Sequence, residues 1–107
     1  AAGRVRRAWL GIAGSQAPLP PALANKLGRR EGLRVAQVVA GSPADSAGLR
    51  AGDIVVAVAG TSLGSSTELQ RRMVEDAIGR RVEITVWRNG ALVDVIAVPR
   101  ELTESSS

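Results

Sequence analysis

Alternation of apolar and polar positions is sharpest near the end of the chain. There Val82, Ile84 and Val86 take turns with Glu83, Thr85 and Trp87. Asn89-Gly90 follows, then an apolar run through Val98, then Pro99. A two-residue period predicts strands with one buried face, and Asn-Gly tolerates the positive backbone angles of a two-residue turn. The two runs are therefore expected to pair as an antiparallel hairpin, which Pro99 ends because it cannot donate to a ladder.

Ahead of the hairpin the period lengthens. Residues 65–79, SSTELQRRMVEDAIG, place Ser65 three residues before Glu68, the spacing of a capping box, and close on Gly79. The spacing predicts a helix over 66–78. Leu69, Met73 and Ala77 form its core stripe and Val74 and Ile78 widen it, with Thr67, Gln70, Arg71 and Val74 on the flank.

The middle of the chain, GLRVAQVVAGSPADSAGLRAGDIVVAVAGTSL, reads as strand, short helical turn and strand. Ser42 suits the cap, Pro43 the first helical position, Asp45 the first turn and Gly48 the end. Gly52-Asp53 marks a turn into a strand over Ile54 to Ala59. Upstream, PLPPALANKLG has the proline start and glycine end of another short helix. Short strands with two or three helices and no βαβ alternation predict an α+β domain, a small twisted sheet or partial barrel capped by helices.

Length and composition narrow the chemistry. The 107 residues, 45% hydrophobic and 22% charged, match one folded domain. With no histidine and no cysteine, the usual general base, thiol nucleophile and soft or imidazole metal ligands are missing, so no catalytic residue, metal or cofactor is expected. Zero cysteines fits any redox compartment. The only methionine is Met73, so the sequence is expected to be a piece of a longer protein. Its longest apolar run, Ile54 to Ala59, is short of the roughly 20 residues that span a membrane. The net charge of +4 comes almost wholly from arginines scattered along the chain, Lys26 being the single lysine, with two tryptophans as the only aromatics, so nucleic acid is not expected as a partner.

The candidate site is RRAWLGIAG, residues 6–14, where Gly11 stands between Leu10 and Ile12 just after two arginines. A tight turn at Gly11 would let the N–H groups of Leu10, Gly11 and Ile12 converge into an anion-binding nest. Leu10 and Ile12, two apart, would turn their side chains to one side and line an apolar pocket. A carboxylate beside an apolar pocket describes the free end of a polypeptide with a hydrophobic last residue. If residues 12–16 continue as an open strand edge, a peptide can add to it through main-chain hydrogen bonds. Arg7 would attract the carboxylate from a distance, contributing at most about 1 kcal/mol. Trp9 is expected to pack into the core.

These features keep company that is specific. The apolar-Gly-apolar loop after a basic residue, then GSPADSAGLRAGDIV, the capped helix and RRVEITVWRNG together resemble the PDZ domains of bacterial trypsin-like proteases of the HtrA (Deg) family, over about residues 5 to 98. Site-2 and C-terminal processing proteases carry related domains. The resemblance implies a circularly permuted bacterial PDZ fold, a partly open β-barrel capped by helices, over 5–100, with flexible flanks at 1–4 and 101–107. It implies that Leu10, Gly11 and Ile12 form the carboxylate loop and Ala13 and Gly14 the peptide-pairing strand. Helix 66–78 becomes the facing wall, presenting Thr67, Arg71 and Val74, with Gln70 beside them. Thr67 stands where eukaryotic PDZ domains often carry a histidine that selects Ser or Thr in the ligand, so that selectivity is not carried over.

The implied function is a non-catalytic peptide-binding module in the cell envelope or periplasm. It would capture hydrophobic C-termini or extended segments of unfolded proteins and feed or regulate an attached serine protease. The implied parent is a homo-oligomer, with membrane anchorage left open. Two other readings compete: an assembly element that holds protease protomers together, and nucleic-acid association through the arginines.

Overall fold

Asn89 and Gly90 both adopt positive φ, 51° and 81°. They join β6 (Val82–Arg88) to β7 (Ala91–Ala97), which pair in unbroken antiparallel register from Val82↔Ala97 to Arg88↔Ala91. The expected hairpin is present, and the strand stops two residues before Pro99. The computed structural model describes residues 7–102. The expected flank 1–4 and the TESSS tail at 103–107 lie outside these.

Chain order gives β1 (Ala8–Trp9), β2 (Ile12–Pro18), α1 (Pro21–Leu27), β3 (Glu31–Val38), α2 (Pro43–Ala47), β4 (Ile54–Val58) and β5 (Thr61–Ser62). Then come α3 (Ser66–Arg72), a 3-10 turn (Glu75–Ala77), β6, β7 and β8 (Arg100–Glu101). The main sheet runs β2-β3-β4-β6-β7, with β5 added to β4, and all its pairs are antiparallel. Its two ends do not meet, so β2 is left with one open edge. β1 and β8 form a separate two-stranded ribbon.

Both short helices follow the expected chemistry. Ser42 caps α2 by accepting the Asp45 N–H, and Gly48 ends it at φ 92°. α1 has proline in its first turn and stops at Gly28, φ 69°. The larger core gathers Leu10, Leu33, Val35, Leu49, Val55, Val58, Leu63, Leu69, Met73, Ile84 and Val86. A second cluster of Leu19, Leu23 and Val56 joins α1 to the sheet, with Trp87 packed beside it.

The helix expected over 66–78 is shorter. Ser65 does cap it, accepting the Glu68 N–H at 3.2 Å, but Glu68 turns to the Gly64 N–H and to Arg29 instead of closing the box. α3 ends at Arg72 because the next two residues bond elsewhere. The Met73 carbonyl accepts the Ala8 N–H, and Val74, extended at φ −105° and ψ 175°, bridges to Arg7. A β-branched residue gives up helical geometry readily when a strand partner is on offer. Gly79 then closes the 3-10 segment, not the helix.

Three smaller differences follow. Ala59 leaves β4 at φ 52° and, with Gly60, turns the chain back into β5. Glu101, expected to begin a flexible flank, is paired with Ala8 in the ribbon. Trp9, expected in the core, is only partly buried, and the Arg100 guanidinium lies 5.4 Å from its ring centroid. That stack satisfies the ring at the surface.

Candidate functional site

The loop at Gly11 is built by its carbonyls. The Leu10 carbonyl accepts the Ala44 N–H at 2.9 Å, and the Gly11 carbonyl accepts the Val39 N–H at 2.8 Å. A trans peptide holds C=O and N–H on opposite sides, so the N–H groups of Gly11 and Ile12 point away from the Val39–Ala44 segment. In the ribbon, Leu102 donates to the Arg7 carbonyl, so alternation makes Trp9↔Arg100 the next bonded pair. The Trp9 carbonyl thus faces β8 and turns the Leu10 N–H from it. No acceptor among the described residues takes the Leu10 or Gly11 N–H.

Gly11 is required on two counts. Its φ is 90°, and a Cβ there would overlap the Cβ and Oγ of Ser42, which is fully buried beneath the loop. The segment VAGSPA, residues 39–44, therefore shapes the loop from below, through two hydrogen bonds and one close approach.

Register also fixes what the β2 edge offers. Val39 bonding to Gly11 at one end and Leu19 to Arg30 at the other set the ladder's phase, with a bulge between Ala13 and Gly14. Ile12, Gly14 and Gln16 fall at positions whose N–H and C=O face away from β3, toward the open edge. Gly14 lacks a side chain for a packing reason, since a Cβ would run into the Arg34 carbonyl.

Between this edge and α3 lies a cavity of about 270 Å³, lined by Arg7, Ala8, Trp9, Leu10, Gly11, Ile12, Leu69, Gln70, Met73 and Leu102. Of the expected residues, Arg7, Leu10, Gly11, Ile12 and Gln70 meet here. Ala13 and Gly14 lie farther along β2, while Thr67 and Arg71 are exposed and outside the lining. Val74 is also outside it, 48% exposed past the end of α3. On a helix, residues 69, 70 and 73 share one side and 67 and 71 another, so the face toward the cavity is one step round from the expected flank. Leu69 and Met73 were readable only as core positions; they close the floor of the cavity as well. Leu102 carried no signal except being the last apolar residue before a polar tail.

Arg7 makes the rim of the site basic, and two carboxylates outside the cavity lining, Glu68 and Asp53, are paired with arginines. Glu68 is held below the ordinary carboxylate value by the Gly64 N–H first and Arg29 next, against the effect of burial. Asp53 is 3% exposed, and burial pushes its carboxyl up. Bonds from Arg88 at 2.6 and 2.8 Å and from the Arg50 N–H outweigh that and leave it lowered. This pair ties the turn before β4 to β6 and sits away from the cavity. Among the described residues, no group of three or more Asp or Glu is placed to hold a metal.

A family model described as PDZ domain matches residues 10–97. The chain belongs to the PDZ domain family. Its relatives include a probable periplasmic serine endoprotease DegP-like of Hahella chejuensis, 38% identical over 93 residues, covering 87% of this chain and 20% of the relative. The periplasmic pH-dependent serine endoprotease DegQ of Escherichia coli is 33% identical over 98% of this chain and 23% of its own. This PDZ domain thus spans about a fifth of these curated relatives. Among solved structures, the HtrA-type protease AlgW with decapeptide superposes at TM-score 0.76, 30% identical, covering 96% of this chain and 32% of that one. The HtrA3 PDZ domain bound to a phage-derived ligand, FGRWV, superposes at 0.68 with 25% identity, covering 91% and 88%. The PDZ fold of HtrA-type proteases is therefore established for this chain, as an open sheet with helices and no closed barrel.

Proposed function

We propose that this PDZ domain is a non-catalytic module that binds hydrophobic C-termini, or extended hydrophobic segments, of substrate or regulator proteins. It would feed or regulate an attached trypsin-like serine protease in the periplasm. The observation that carries the reading is the junction of three unconsumed N–H groups at Leu10, Gly11 and Ile12, an apolar cavity beneath them, and an open β2 edge facing α3. A terminal carboxylate can accept from the loop, its last side chain can enter the cavity, and its backbone can extend the sheet at Ile12, Gly14 and Gln16. Arg7 at the rim favours the negative end. The DegP-like and DegQ relatives support the protease parent and its periplasmic address, and the HtrA-type structures solved with peptides support the ligand class.

A groove of this size suits micromolar affinity, about −8 kcal/mol. Titrating the isotopically labelled 107-residue chain with a peptide ending in a free hydrophobic residue should move the amide resonances of Leu10, Gly11, Ile12, Gly14 and Gln16 most. Binding that leaves those five unmoved would overturn the assignment of the site.

A further inference from the structure

Leu102 lies beyond the matched stretch, yet it lines the cavity with Leu10, Ile12, Leu69 and Met73. It is held there by backbone. Its N–H donates to the Arg7 carbonyl at 2.8 Å, and Arg100 and Glu101 before it pair with Trp9 and Ala8. Arg100 is fixed in turn, its guanidinium stacked on Trp9 and donating to the Gly41 carbonyl at 2.8 Å. A side chain so anchored, apolar and still 43% exposed, leaves part of its surface to be covered by whatever enters the cavity.

We infer that Leu102 is a specificity-determining wall of the peptide pocket, limiting the size of the ligand's last side chain. The inference rests on the proposed peptide-binding role. Of the other apolar walls, Leu10, Leu69 and Met73 are buried in the domain's core and cannot vary freely, and Ile12 is half-buried against it. Leu102 has no such duty. It stands on the outgoing segment at the Arg7 end of the cavity, where a change of bulk alters pocket depth without opening a hole in the core. Shortening it favours large terminal residues, and enlarging it favours small ones.

The test compares the chain with its Leu102→Ala and Leu102→Trp variants, using labelled pentapeptides identical except for a last residue of Ala, Val, Leu or Phe. Each peptide is made as free acid and as amide. The account expects the Phe-to-Val affinity ratio to rise about fivefold or more in Leu102→Ala and to fall by a similar factor in Leu102→Trp, because a few methylenes in an apolar pocket discriminate on that scale. Unfolding temperatures near that of the parent chain show that the variants are folded. An unchanged ranking in both folded variants, with free acids still preferred over amides, overturns the role of Leu102 and leaves the peptide-binding reading intact. If neither form of any peptide binds the parent chain, the reading itself fails and this inference with it; if acids and amides bind alike, the carboxylate seat fails and the inference about the last side chain falls with it.

Discussion

Gly11 carries two demands at once, a positive φ and contact with buried Ser42. Gly11→Val should therefore cost stability as well as binding, roughly 2–4 kcal/mol, read as a lowered midpoint in chemical denaturation. A variant with unaltered stability would show that Ser42 does not press on the loop. From sequence, the glycine between two aliphatics pointed to the turn, but its dependence on a serine 31 positions later could not be read, because that contact is made by tertiary packing. Asp53 was likewise legible only as half of a Gly-Asp turn. Its partner Arg88 is one of thirteen scattered arginines, and only the fold selects it. Asp53→Ala leaves that guanidinium only the Gly48 carbonyl and removes the charge partner from a pair whose side chains are 4% and 19% exposed, and should lower stability by roughly 2–4 kcal/mol in the same measurement.

At the level of elements, periodicity and caps gave strands, turns and the two short helices because those choices are local. The end of α3 is not local. Residues 73 to 78 keep a helical pattern of apolar positions, and Ala77 and Ile78 do pack on the core, but Met73 and Val74 bond to Ala8 and Arg7 instead. Tertiary pairing outweighs propensity there, and Leu69, Gln70 and Met73 line the cavity. The cap, in contrast, is local and testable. Ser65→Ala removes the acceptor of the Glu68 N–H and should cost about 1 kcal/mol in denaturant, with faster hydrogen exchange along α3. Equal exchange in both proteins would mean that the cap does not hold this wall of the groove.

For the molecule as a whole, acid should weaken the fold through its held carboxylates. The Asp53 carboxyl lies below its ordinary 3.8 in the folded state. A lowered folded value contributes stability above the unfolded pKa, which is lost as pH falls from about 4 through the folded value. Unfolding free energy should thus be level from pH 7 to about 5 and fall below that, with a shallower fall in Asp53→Asn; an identical slope in that variant would assign the acid sensitivity elsewhere. The PDZ architecture was legible across nearly the whole chain because its signature turns are local, while of the flank expected on the helix only Gln70 lines the cavity, beside Leu69 and Met73. What the molecule does rests on whether three main-chain donors at residues 10–12 receive a terminal carboxylate. The most direct measurement is the affinity of the 107-residue chain for one hydrophobic-ended peptide as free acid and as C-terminal amide. The account predicts that amidation weakens binding at least tenfold, and equal affinity for the two would contradict it.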